Sequence, residues 1–113
     1  MLSIEEMIAI QREFDSKHKG KFAWDEEITE KNVEALQYLL LATLGELGEA
    51  ANITKKVIRG DLSFDKAKES ISEEIVDVLI YSIKMLYQLK INVGEAFKKK
   101  VDKNRDRFKK YEK

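Results

Sequence analysis

QYLLLATLGELGEAA, residues 37–51, decides how this chain folds and raises the question of what it does. The first eight residues are a mostly apolar, helix-forming run. The next seven keep the helical rhythm but place two glycines, Gly45 and Gly48, and two carboxylates, Glu46 and Glu49, inside it. A glycine within a helix costs about 1 kcal/mol relative to alanine. Two of them three residues apart therefore imply a place where side-chain bulk is unwelcome.

Outward from this stretch the pattern is helical throughout. Leu36, Leu40, Leu44 and Leu47 line one side of the segment, and Tyr38, Leu41 and Ala42 lie elsewhere around it. Thr29 is placed to cap its start, and Gly60 stops it after about Arg59. Before it, Ser3 and Glu6 form a capping box for a first helix that carries Ile4, Met7, Ile8, Gln11 and Phe14 on one face. Residues 18–29, HKGKFAWDEEIT, read as a polar loop holding the only tryptophan. Beyond it, Ser63 caps a third helix reaching about Leu89. Asn92 with Glu95 repeats the capping pattern for a fourth helix, through about Tyr111. There is no proline, no alternating strand pattern and no internal repeat. The expectation is one all-α domain over residues 1–113, resembling a four-helix bundle.

The third helix is apolar on two sides. Ile71, Ile75, Val78, Leu79, Met85, Leu86 and Leu89 form one stripe, with Val76, Ile80, Ile83 and Tyr87 opposite. A helix apolar nearly all round is buried nearly all round, which a chain of 113 residues rarely achieves alone. A homo-oligomer built through the central helices follows, dimer or tetramer.

Composition narrows the function. Basic and acidic residues balance at 21 each, so no net field draws the chain to a nucleic acid polymer or an anionic membrane. Cysteine is absent and histidine occurs once, at His18. Any metal must then be held by oxygen ligands, which favours Mg²⁺, Mn²⁺ or Ca²⁺. The N-terminal MLSIEEMIAIQREF is acidic and amphipathic, neither a secretory signal nor a membrane span, and a cytoplasmic location is the expectation.

The oxygen ligands are at hand. Glu46 and Glu49, three apart, project from neighbouring positions on a helix face that also holds Ala35, Ala42 and Ile53. SEEIVDVLIY supplies a matching pair, Glu74 and Asp77. If the two central helices pack antiparallel, the pairs converge, and a divalent cation relieves their repulsion. The glycines then leave room beside the ligands for a neighbouring helix or a bound molecule.

E-x-x-E followed by E-x-x-D on consecutive helices resembles the MazG-type all-α nucleoside triphosphate pyrophosphohydrolases, in their MazG-like branch. The likeness extends from about Phe14 to Phe108, through LLLATLGELGEAANITKKVIRG, EEIVDVLIYSIKML, LKINVGEAF and KKKVDKNRDRF. It implies an α-helical dimer or tetramer that cleaves a nucleoside triphosphate between its α and β phosphates. It also implies Mg²⁺, with Mn²⁺ as a substitute, on Glu46, Glu49, Glu74 and Asp77. One of these carboxylates, with Glu49 preferred and Glu74 the alternative, would orient or deprotonate the attacking water.

The fourth helix adds to this from its own pattern. Phe97, Val101, Asn104, Phe108 and Tyr111 share a stripe on which Asn104 is the polar misfit. Lys100 and Arg107 flank it, and K-x-x-x-N-x-x-R forms a set of donors for phosphate oxygens. Lys56 and Arg59 end the second helix, where they suit the helix dipole as well as a phosphate. Tyr81, one turn past Asp77, and Trp24 in the loop are candidates for stacking on a base, with core packing and loop anchoring as their alternatives. Two other functions fit the chain: a pyrophosphatase for a specialised substrate such as phosphoribosyl-ATP, and a non-catalytic helical interaction module.

Overall fold

The computed structural model describes residues 1–18, 20 and 23–112, and these form four α-helices and one 3₁₀ turn. Helix α1 is Ile4–Lys17, opened by the expected capping box. Ser3 Oγ accepts from the Glu6 amide at 3.1 Å, and the Glu6 carboxylate accepts from the Ser3 amide at 3.0 Å. Those bonds, the one to the backbone amide first, hold the Glu6 carboxyl below the usual carboxylate range.

Helix α2 is Val33–Ile58 and starts later than a Thr29 cap would place it. The Asn32 side chain turns back on the loop, where Oδ1 accepts from the Thr29 amide at 2.6 Å and Nδ2 donates to the Glu27 carbonyl at 2.9 Å. Residues 29–32 are thereby committed to a turn, and Asn32 caps without a side-chain bond. The helix ends where expected, with Gly60 at φ +83°, a left-handed conformation in which a Cβ is strained.

Helix α3, Phe64–Gln88, begins with Ser63 Oγ accepting from the Lys66 amide at 3.3 Å. Helix α4, Val93–Arg107, begins with Asn92 Oδ1 accepting from the Glu95 amide at 3.0 Å. It stops short of Tyr111, and the chain tightens into the 3₁₀ turn Lys109–Tyr111.

Helices α2 and α3, joined by a five-residue link, pack along their length as an antiparallel pair, and α1 lies against α3. Leu39, Ala67, Ile83 and Tyr87 from this assembly are buried, with Ile28 from the loop. Among the described residues α4 makes at most marginal contact with the other three helices. The link from α3 is only four residues long and holds Lys90 at φ 60°, sending α4 outward. A radius of gyration of 17.2 Å reflects this, against ~13 Å for a compact chain of this length.

The all-α class is thus seen, but the bundle within one protomer consists of α1, α2 and α3. Wide apolar surface stays open. Leu41, Leu44 and Leu47 on α2 and Ile75, Val76 and Leu79 on α3 are exposed, and Phe97 on α4 is 70% exposed. No helix among the described residues is long and apolar enough to cross a membrane.

Candidate metal centre

The antiparallel pairing of α2 and α3 sets Glu46 opposite Glu74 and Asp77. One carboxylate oxygen from each of the three lies within 4.8 Å of the others, and all three residues are half-buried. Glu74 has a buried Oε2 with no hydrogen-bond donor. Its pKa is raised from 4.5 to about 7, first by the proton it can share with Glu46 and then by burial. Glu49, which can share the same proton and carries like charge, raises it further.

Glu49 therefore belongs to the same group, although it is exposed and stands outside the tight triad. A like-charged cluster with an orphaned oxygen fits a hard divalent cation, which takes carboxylate oxygens and removes the repulsion that raises the Glu74 pKa. The glycines fit less simply. A Cβ built on Gly45 or Gly48 meets nothing within 4 Å, so no neighbour among the described residues requires them.

Beside the triad lies a cavity of about 450 Å³, lined by Glu46 and Asp77 at one end, by Phe14, Ile80 and Tyr81, and by Gln11 and Lys84. The Tyr81 hydroxyl is raised above its usual pKa by burial first, then by Glu46, Tyr38 and Asp77. Under this cavity is a buried polar network. Asp15, 1% exposed, takes Gln11 Nε2 at 2.9 Å and Lys84 Nζ at 3.2 Å on Oδ1, and Tyr87 donates to its Oδ2. The Tyr87 oxygen also lies 3.2 Å from the Trp24 carbonyl. Burial and Asp15 raise the Tyr87 pKa well above its usual range.

The remaining predicted residues are dispersed. Trp24 is half-buried, its ring 5.5 Å from that of Tyr38 and 4.8 Å from Lys84 Nζ, so it anchors its loop beside the cavity. Lys56 and Arg59 are exposed at the end of α2, and Arg59 pairs with Asp61 at 2.9 Å. Lys100, Asn104 and Arg107 lie on α4, which is held away from the triad within the protomer.

Asp15, Lys84 and Gln88 did not emerge from the sequence reading. The signal was present: Lys84 interrupts the stripe of Ile80, Ile83 and Tyr87, and Asp15 follows Gln11 by one turn. A lysine among isoleucines is easily read as a helix edge, whereas here its side chain is 10% exposed. Gln88, also buried, donates to the Glu26 carbonyl at 3.0 Å and ties the loop to α3. Compared with protein-family models, curated proteins and solved structures, the chain matches none.

Proposed function

We propose that this chain is a Mg²⁺-dependent nucleoside triphosphate pyrophosphohydrolase, with Mn²⁺ able to substitute, that acts as a homo-oligomer and releases a nucleoside monophosphate and pyrophosphate. The observation that carries the reading is the triad of Glu46, Glu74 and Asp77, with an orphaned Glu74 oxygen and Glu49 alongside. The resemblance of the acidic pairs and of K-x-x-x-N-x-x-R to MazG-like enzymes supplies the substrate class.

Glu46, Glu74 and Asp77 would hold the cation. When bound, it neutralises phosphate charge and acidifies a coordinated water. Glu49, exposed at the edge of the cluster, takes the proton of the attacking water. The water oxygen forms a new bond to phosphorus, the bridging P–O bond between the α and β phosphates breaks, and the bridging oxygen leaves with one product.

The oligomer supplies what the protomer lacks. Residues 93–113 contain nine of the 21 basic residues and four of the 21 acidic ones, a net of +5, which leaves residues 1–92 at −5. A basic helix with an uncovered apolar stripe and an acidic body with open leucine faces are complementary. In this reading α4 of another copy brings Lys100, Asn104 and Arg107 to the phosphates.

The test is incubation with Mg²⁺ and a panel of canonical and modified NTPs and dNTPs, with products separated by chromatography. Monophosphate and pyrophosphate, abolished by EDTA, are the expected result. Diphosphate and orthophosphate would place the cleavage elsewhere. No product from any nucleotide would refute the reading.

A further inference from the structure

The buried ion pair beneath the cavity ties α1 to α3 and also sets a cation in the cavity wall. Lys84 and Asp15 meet at 3.2 Å with side-chain exposures of 10% and 2%. Such a pair gives little net stability compared with apolar side chains of similar size, and Ile80 and Ile83 on the same helix show that apolar residues are at home beside it. Its ammonium has three N–H donors, of which Asp15 takes one. It lies 4.8 Å from the centre of the Trp24 ring and 5.9 Å from that of Tyr81. It also lines the cavity that Glu46 and Asp77 open into, and among the described residues that line it Lys84 is the one cation.

The spacing is instructive. Lys84 follows Asp77 by seven residues, two helical turns, or about 10 Å along α3. Tyr81 lies between them, with Phe14 across the cavity from α1. A nucleoside whose phosphate sat at the carboxylates would span this distance, with its base against Tyr81 and its far edge at Lys84. A volume of about 450 Å³ falls within the range of small-molecule sites.

We propose that Lys84 is a specificity-determining residue that reads the exocyclic group of the base, and that Asp15 is its positioning residue. This rests on the nucleotide reading above. An ammonium donates hydrogen bonds and accepts none. It bonds to an exocyclic oxygen, at position 4 of a pyrimidine or position 6 of a purine, and repels an amino group in the same place. The substrates favoured are therefore those with keto bases, such as uracil, thymine and hypoxanthine, over those with cytosine or adenine.

The test uses pairs that differ chiefly at this group: UTP against CTP, and ITP against ATP. The full-length protein is expected to prefer the keto member by about tenfold or more in kcat/KM, the scale of one charge-assisted hydrogen bond. Dissociation constants of non-hydrolysable α,β-imido analogues, measured calorimetrically with Mg²⁺, are expected to show the same order. Lys84→Met should bring both ratios to within about twofold of unity. Since that variant leaves the Asp15 charge without its cation, Asp15→Asn/Lys84→Met serves as a second variant in which both charges are gone, with the same expected ratios. Tyr87→Phe leaves the Lys84–Asp15 pair intact and should keep the preference.

A wild-type protein that hydrolyses both members of each pair equally, or favours the amino member, overturns the role of Lys84 while leaving the hydrolase reading intact. So does a preference that survives in the double variant. Absence of both turnover and analogue binding overturns the two together.

Discussion

Tyr87 donates its phenolic hydrogen to Asp15, a residue 72 positions earlier and on another helix. This bond joins α1 to α3, and Tyr87 Oη lies 3.2 Å from the Trp24 carbonyl, beside the loop. The Lys84 ammonium shares the same carboxylate. One buried aspartate thus organises the wall of the cavity beside the acidic triad.

Tyr87→Phe removes that donor while keeping the ring. Asp15 retains Lys84 and Gln11, so the loss should be moderate, ~1–3 kcal/mol, as for a buried acceptor losing one bond. Urea denaturation measures it as a lower midpoint with an unchanged slope. An unchanged midpoint would mean that the bond does not hold α1 in solution.

The acidic cluster predicts a pH dependence of unusual sign for the metal-free protein. In the folded chain Glu74 keeps its proton to about pH 7, whereas unfolded it releases it near 4.5. Between these values the folded state binds the extra proton, so stability from this group falls as pH rises and is lost above about 7. Thermal scans in EDTA should show the midpoint declining across that window. Glu74→Gln should flatten the decline, and Mg²⁺ should oppose it by neutralising the carboxylates. A midpoint in EDTA that rises through the window, or a slope that Glu74→Gln leaves untouched, would contradict the crowding of the carboxylates.

Glu74→Ala should abolish Mg²⁺-dependent turnover and leave a folded oligomer, since it removes a repelled charge from the metal-free fold. Circular dichroism and light scattering follow the fold and assembly, and product chromatography follows turnover. Retained activity would refute the assignment of the site.

The glycines test the assembly. Within a protomer a methyl on Gly48 meets open space, so Gly48→Ala should raise helix stability by about 1 kcal/mol in an isolated chain. If another copy packs closely on this face, the same methyl weakens association. Light scattering at micromolar concentration is expected to show an oligomer for the natural chain and a shift toward smaller species for Gly48→Ala. A monomeric natural chain would contradict the reading of its open apolar faces.

Much of this was legible in the sequence because the decisive signals are local. Ser3, Ser63, Asn92 and Gly60 mark helix ends through bonds or backbone angles that reach only a few residues. The i,i+3 acidic pairs needed only an antiparallel neighbour in order to meet. Where Thr29 failed as a cap, Asn32 had a competing use for its side chain in the loop, which spacing does not reveal. The placement of α4 depends on a four-residue link with Lys90 in a left-handed conformation, so its stripe alone did not show that it leaves the bundle. The Asp15–Lys84 pair was hidden for a related reason. Each residue looks like a surface charge on its own helix, and only the docking of α1 on α3 buries them together.

The most direct test of the central claim is a calorimetric titration of Mn²⁺ into the metal-free protein near pH 7, repeated in buffers of different ionisation enthalpy. Saturable binding with release of protons is predicted, because Glu74 is partly protonated there and must ionise to ligate. Binding should be lost in Glu74→Ala and in Asp77→Ala. No binding to the natural chain, or equal binding by the variants, would contradict the account.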